Sequence, residues 1–126
     1  MPLASCGIDP EFGRKLGYNL DSMEKSRREM LERFVAQRPA DAFARYGLAL
    51  ECVNVGDDAS AQSHFQSLLE ANPDYVAGYF QYAQLLSRLG RLDEARQILS
   101  AGMAAAQKAG DSHAWEEMQA ALALLG

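Results

Sequence analysis

Two stretches of this chain repeat each other at a separation of 34 residues. Pro39 matches Pro73, Ala49 matches Ala83, Gly56 matches Gly90 and Ala61 matches Ala95, while Leu48 and Tyr82, Phe65 and Leu99, and Leu69 and Met103 keep apolar register. A unit of this length is too short to bury its apolar side alone, so neighbouring copies must stack to form a continuous core. The phase therefore predicts an all-α chain of antiparallel helix pairs. Such a chain works by presenting a surface rather than by carrying chemistry.

Each unit reads as helix, turn, helix. The first has a helix at 41–54 that turns Leu48, Ala49 and Cys52 inward, then Asn54-Val55-Gly56-Asp57-Asp58 as a turn in which glycine ends one helix and aspartate caps the next. A helix at 58–71 returns Ala61, Phe65, Leu68 and Leu69 onto it, and Asn72-Pro73-Asp74 closes the unit. The second opens on Asp74, with helices at 75–89 (Tyr79, Tyr82, Ala83, Leu86) and 92–108 (Ala95, Ile98, Leu99, Met103) joined at Gly90-Arg91. Ala61 and Ala95 are small where paired helices must approach. A larger side chain there would cost ~1–3 kcal/mol in overpacking.

Two units need their ends covered. Upstream, Asp21-Ser22-Met23-Glu24 has the form of a capping box and opens a helix at 22–37, with Met30, Leu31, Phe34 and Val35 as its apolar face and Arg27, Arg28, Glu32 and Arg33 solvated around it. Downstream, Gly110-Asp111-Ser112 resets the chain into a capping helix at 112–125, where Trp115, Met118, Leu122 and Leu125 form one stripe and Trp115 reads as core. Residues 1–21 carry Gly7, Gly13, Gly17 and Pro10 and read as a disordered tail. Alternatively they lie outside the native product, since Met23 would serve as a start. Leu3-Ala4-Ser5-Cys6 looks like a lipoprotein cleavage box, but no charged and apolar segments precede it, as a signal would need. The domain is 22–126, with repeats at about 42–75 and 76–109.

Residues 42–109 resemble two tetratricopeptide repeats, whose unit has an aromatic residue, Leu-Gly and Tyr in its first helix, and Ala, Phe and a closing Pro around its second. The first unit shows Arg45, Leu48-Ala49, Cys52, Ala61, Phe65 and Pro73; the second shows Tyr79, Tyr82-Ala83, Leu86, Ala95 and Leu99, with Gln107 where proline would stand. The helix at 22–37 keeps this phase as a worn second helix, with Arg27 at the small-residue position. The resemblance implies a short right-handed α-solenoid and a concave groove lined by the exposed side of each first helix. Carried over, the groove positions are Phe43, Tyr46, Leu50, Val53 and Asn54, then Ala77, Phe80, Gln84, Ser87 and Arg88. Tyr46, Leu50 and Gln81 stand where the family's clamp for a terminal carboxylate has Lys and Asn, so that mode of binding is not expected. An apolar groove suits an amphipathic helix or an extended apolar segment of a protein partner, oriented by Gln84 and Arg88. It could equally be covered by a second copy, giving a homodimer, or by the chain's own residues 1–37. Tyr46 and Phe80, as groove residues, are expected to tolerate alanine without loss of stability.

The charge pattern points the same way. The formal net charge is −5; residues 1–38 hold seven Lys+Arg against six Asp+Glu, and residues 39–126 hold five against eleven. No basic stripe offers itself to nucleic acid or an anionic membrane, and no apolar run reaches the ~18 residues of a membrane span. Cys6 and Cys52 show no metal or disulfide spacing, which suits a reducing, cytoplasmic setting. Cys52 with His64 is the one conceivable nucleophile pair, but Cys52 packs inward and His64 is expected on the outer side of its helix. His64 and His113 lack a second ligand at helical spacing, and no phosphate-binding loop is present. The expectation is a non-enzymatic protein without metal or cofactor.

Overall fold

The computed structural model describes residues 20–126, and their side chains from Arg27 onward. The N-terminal tail with Cys6 and its box lies outside the described residues. Six helices follow in order: α1 Leu20–Gln37, α2 Ala42–Asn54, α3 Asp58–Ala71, α4 Val76–Arg88, α5 Leu92–Ala109 and α6 Ser112–Leu124. Each helix packs on its neighbours in the chain, and α2 also meets α4, as α4 meets α6. The described residues form an all-α solenoid.

The repeat is written in the turns. Gly56 and Gly90 take left-handed φ of 81° and 79°, a conformation open to glycine because it lacks a Cβ. Each is followed by the same bond, Asp57 N–H to the Cys52 carbonyl and Arg91 N–H to the Leu86 carbonyl, both at 2.9 Å, which satisfies a carbonyl left over at the helix end. Aspartates then start three of the helices. The carboxylates of Asp41, Asp57 and Asp111 accept the backbone N–H of Ala44, Ser60 and Ala114 at 3.0, 3.2 and 3.0 Å. Asp74 does not do so for α4. The Tyr75 N–H closes the turn onto the Asn72 carbonyl at 3.0 Å, which moves the cap position to Tyr75, and its side chain makes no capping bond. Without the closing proline, α5 runs for 18 residues against 14 in α3.

Two apolar clusters make the core. The first gathers Leu48, Ala49, Cys52, Ala61, Phe65, Leu68, Tyr82, Leu86 and Ala95 and joins the units; the second gathers Tyr79, Ala83, Leu99, Ala106 and Met118 and seats α6. Ala49, Ala61 and Ala95 are fully buried and Ala83 nearly so, as the close approach of paired helices requires. Trp115 is half-buried against the second cluster.

α1 departs most from expectation. Its backbone is helical from Leu20, so Asp21 and Ser22 lie inside the first turn rather than before it. Only Leu31 and Val35 face the first cluster; Met30 is 65% exposed and Phe34 40%, with Arg38 over its ring at 5.3 Å. Leu31 and Val35 are four apart and share a stripe, while Met30 and Phe34 form the adjacent stripe and point away from α2. Arg28 is not solvated. Its Nη2 donates to the Asp57 carboxylate at 2.7 Å and its Nε lies 3.4 Å from Glu32, which ties α1 to the start of α3. Arg27 Nε lies 3.3 Å from the buried Glu51 carboxylate.

This tie gives α1 an acid sensitivity. The hydroxyl and backbone N–H of Ser60 and the guanidinium of Arg28 hold the Asp57 carboxyl down from 3.8 to about 2. A carboxyl lowered in the folded state adds its stability above its ordinary value, and loses it as pH falls through the lowered one. Acidification from pH 3.8 toward about 2 should therefore loosen the start of α3 and its tie to α1 before α4 and α5 respond, seen as early loss of amide-exchange protection in the first turn of α3 and in Leu31–Gln37. Asp57→Asn keeps a capping oxygen but lacks the charge that pairs with Arg28, so at neutral pH its α1 should exchange somewhat faster than in the parent chain and lose the acid dependence. An unchanged acid profile in that variant would refute the assignment.

Candidate functional site

Helical spacing places every third or fourth residue of α2, α4 and α6 on one side, and these three helices are the first members of successive pairs. On α2, Phe43 is 76% exposed and Asn54 is exposed, whereas Tyr46, Leu50 and Val53 are half-buried against the first cluster. The Tyr46 ring lies 5.3 Å from that of Tyr75, tilted by 49°, and burial raises its phenol above the ordinary value. On α4, Ala77, Gln84 and Arg88 are exposed, Ser87 is half-buried, and Phe80 packs on the second cluster. Tyr46 and Phe80 are thus part of the packing, and their replacement by alanine would not be neutral to stability as the sequence suggests. Arg88 is also engaged, its Nη2 donating to Asp58 at the start of α3 at 2.7 Å.

A cleft of about 290 Å³ opens between α4 and α6. Gln84, Ser87 and Arg88 form one wall and Leu124 and Ala121 the other, over a floor of Ala83, Leu99 and Leu125. Arg96, from α5, donates to the Leu125 carbonyl at 2.7 Å and so fixes the end of α6. The wall on α6 is absent from the sequence-derived groove, which stops at α4. A signal for it exists: Trp115, Met118 and Leu122 repeat the spacing of Tyr79, Tyr82 and Leu86, which marks α6 as a further first helix whose exposed side carries on the same surface. Leu125, on the inward stripe, packs against both clusters and also helps to floor the cleft.

The thiol and imidazole are poorly placed for chemistry. Cys52 is fully buried, and burial pushes its thiol up, where a nucleophile needs it lowered. His64 is not on an outer side. It is half-buried, its Nδ1 has no hydrogen-bond partner, and burial together with nearby Arg45 lowers its imidazole. Among the described residues, no group of three His, Cys, Asp or Glu side chains could hold a metal ion, and no helix is long and apolar enough to cross a membrane.

Known proteins share this arrangement. The family model for the tetratricopeptide repeat matches residues 55–125. A TPR repeat-containing protein of Pseudomonas aeruginosa is 34% identical over 90 residues, which span 71% of this chain and 86% of that protein. The solution structure of a tetratricopeptide repeat domain protein from Salinibacter ruber superposes with a TM-score of 0.67 at 33% identity, covering 69% of this chain and 88% of the other. PcrH, solved in complex with the chaperone binding region of PopD, superposes with a TM-score of 0.75 over 83% of this chain and 80% of its own; at 16% identity the likeness is of fold alone.

Proposed function

This chain belongs to the tetratricopeptide repeat family, and we propose that it is a non-catalytic protein-interaction module that takes a peptide or helix of a partner along the exposed side of α2, α4 and α6. The observation that carries this reading is the cleft between α4 and α6. At about 290 Å³ it falls just short of the ~300–1,000 Å³ usual for small-molecule pockets, and it has an apolar floor with a polar rim on one side. That suits one large apolar side chain of a longer segment, with Gln84 and Arg88 placed to meet its backbone or a neighbouring charge. Phe43, largely exposed on α2, extends the surface for the rest of the segment. The PcrH complex supports the mode of binding, since a fold of this kind there holds a partner's segment. The proposed functional unit is residues 22–126, working in the cytoplasm, with no nucleic acid, membrane or cofactor required.

The test is peptide selection from a random library on the full chain, with affinities then measured for variants that leave the packing intact. Leu124 is 88% exposed and Arg88 is exposed, so Leu124→Glu with Arg88→Ala should fold normally. Selected peptides are expected to bind the double variant at least about tenfold more weakly, equivalent to ~1.4 kcal/mol. Equal affinity, with an unchanged melting curve, would move the binding surface elsewhere.

A further inference from the structure

We propose that Arg96 sets the anchor preference of the α4–α6 cleft. By holding the last turn of α6 it fixes the distance between the two walls, and so the size of the partner side chain that seats between them. This rests on the reading of the cleft as a peptide site.

The bond that Arg96 makes belongs to a series. Arg28, Gln62 and Arg96 lie 34 residues apart, one each on α1, α3 and α5, and each meets a residue 29 positions further along the chain. Arg28 donates to the Asp57 carboxylate at 2.7 Å, Arg91 donates to the Gln62 side-chain oxygen at 2.8 Å, and Arg96 donates to the Leu125 carbonyl at 2.7 Å. Asp57, Arg91 and Leu125 stand just beyond the ends of α2, α4 and α6, so one such bond accompanies each step of the solenoid. The bonds differ in what they grip. The first two join side chains, which can turn about their χ angles. The third ends on the backbone, at a carbonyl without a partner inside its helix, where the guanidinium also meets the negative end of the α6 dipole. It therefore places the main chain of α6 itself.

Packing holds that end only loosely. Met118 is the one buried side chain of α6 and lies about two turns earlier; Ala121, Leu122 and Leu125 are half-buried, and Leu124 is 88% exposed. Among the described residues, no other side chain from another helix hydrogen-bonds to α6. Yet this weakly packed turn supplies Ala121 and Leu124 to one wall of the cleft and Leu125 to its floor. Arg96 and the floor residue Leu99 are three apart on α5, so the floor and the hold on the wall come from one stripe. Asp93 accepts from Nη1 of Arg96 at 2.6 Å and steadies the guanidinium while Nη2 reaches the carbonyl. Without the bond to Leu125 the last turn drifts from α4 and the cleft widens. A partner's side chain then packs against one wall only, and its shape matters less.

The test uses peptides selected from a random library on the full chain, with two variants. Arg96→Met keeps an apolar stem and has no donor, whereas Arg96→Lys keeps a cation for the carbonyl. Replacing the peptide's anchor by alanine should weaken binding about tenfold or more on the parent chain, and about threefold or less on Arg96→Met. Arg96→Lys should fall nearer the parent. Phe43→Ala should weaken binding by the same factor in the parent and in Arg96→Met, because α2 does not move; a general loss of structure would blunt both preferences alike. Amides of Ala121–Leu125 should exchange ~3- to 10-fold faster in Arg96→Met, the loss of one hydrogen bond, while those of α3 keep their protection. An anchor preference or an α6 exchange rate that Arg96→Met leaves unchanged overturns the proposal and spares the peptide reading. Peptides whose binding ignores Leu124→Glu with Arg88→Ala overturn that reading, and this proposal with it.

Discussion

Truncating Phe65 to alanine is expected to lower stability by about 3–5 kcal/mol, the usual range for a fully buried aromatic. The side chain has no exposed surface, and its ring stacks on Tyr82 with centroids 5.6 Å apart and planes at 15°. It is the largest fully buried residue of the cluster that joins α2 and α3 to α4, so its loss empties the contact between units as well as the contact within one. A domain of this size has roughly 5–15 kcal/mol in all, and the variant should unfold at markedly lower urea concentration or fail to accumulate. Phe34→Ala is the control. Its ring is 40% exposed and lies outside both clusters, so the same deletion there should cost under ~1.5 kcal/mol, since only part of the ring's apolar area leaves water. Comparable losses at the two sites in urea titrations would mean that the core has been placed wrongly.

These two phenylalanines also mark how far the sequence could be read. Periodicity identifies Phe65 because its neighbours repeat, with Ala61 four residues before it and Leu69 four after, and each position recurs one unit later as Ala95, Leu99 and Met103. Helix bounds over α2 to α6 follow within a residue or two, because Gly56, Gly90 and Gly110 and the capping aspartates are local signals that tertiary contacts do not override. Phe34 is misread because an apolar stripe states which residues are available to a core and not whether a neighbouring helix arrives to cover them. Arg28 is misread for a related reason: its partner Asp57 is 29 residues away, and no local pattern reveals that an arginine on an apparently solvated flank meets a helix cap. The α4–α6 cleft was half legible. Gln84, Ser87 and Arg88 are named by position, while the α6 wall was hidden by α5, whose extra length shifts Trp115, Met118 and Leu122 out of the 34-residue phase.

Gly102→Ala should destabilise the chain by about 1–3 kcal/mol, the cost of overpacking a filled core, although the same change in the middle of a helix ordinarily stabilises by up to about 1 kcal/mol. The sign is reversed by the neighbours. Gly102 is buried within α5, and a Cβ added there would lie 2.5 Å from Met118 Sδ and 2.6 Å from Tyr79 Cβ. The methionine end can swing aside, but the Tyr79 Cβ is held by the α4 backbone, and its hydroxyl is held in turn by a 2.7 Å bond to the Pro73 carbonyl. α6 is therefore the element that must yield, because Met118 seats it in the second cluster and it packs on fewer helices than α4 does. The damage should be local: Trp115, the chain's single tryptophan, should report loosening of α6 by fluorescence, and peptide affinity at the α4–α6 cleft should fall while protection of α2 and α3 amides is retained. Gly47→Ala separates space from propensity. In α2 the added Cβ would meet nothing nearer than Leu31 Cδ2 at 3.9 Å, so that variant should gain a few tenths to ~1 kcal/mol. If Gly102→Ala gains stability as Gly47→Ala does, α5 does not approach α4 and α6 as closely as the glycine implies, and the cleft that α6 completes loses its basis.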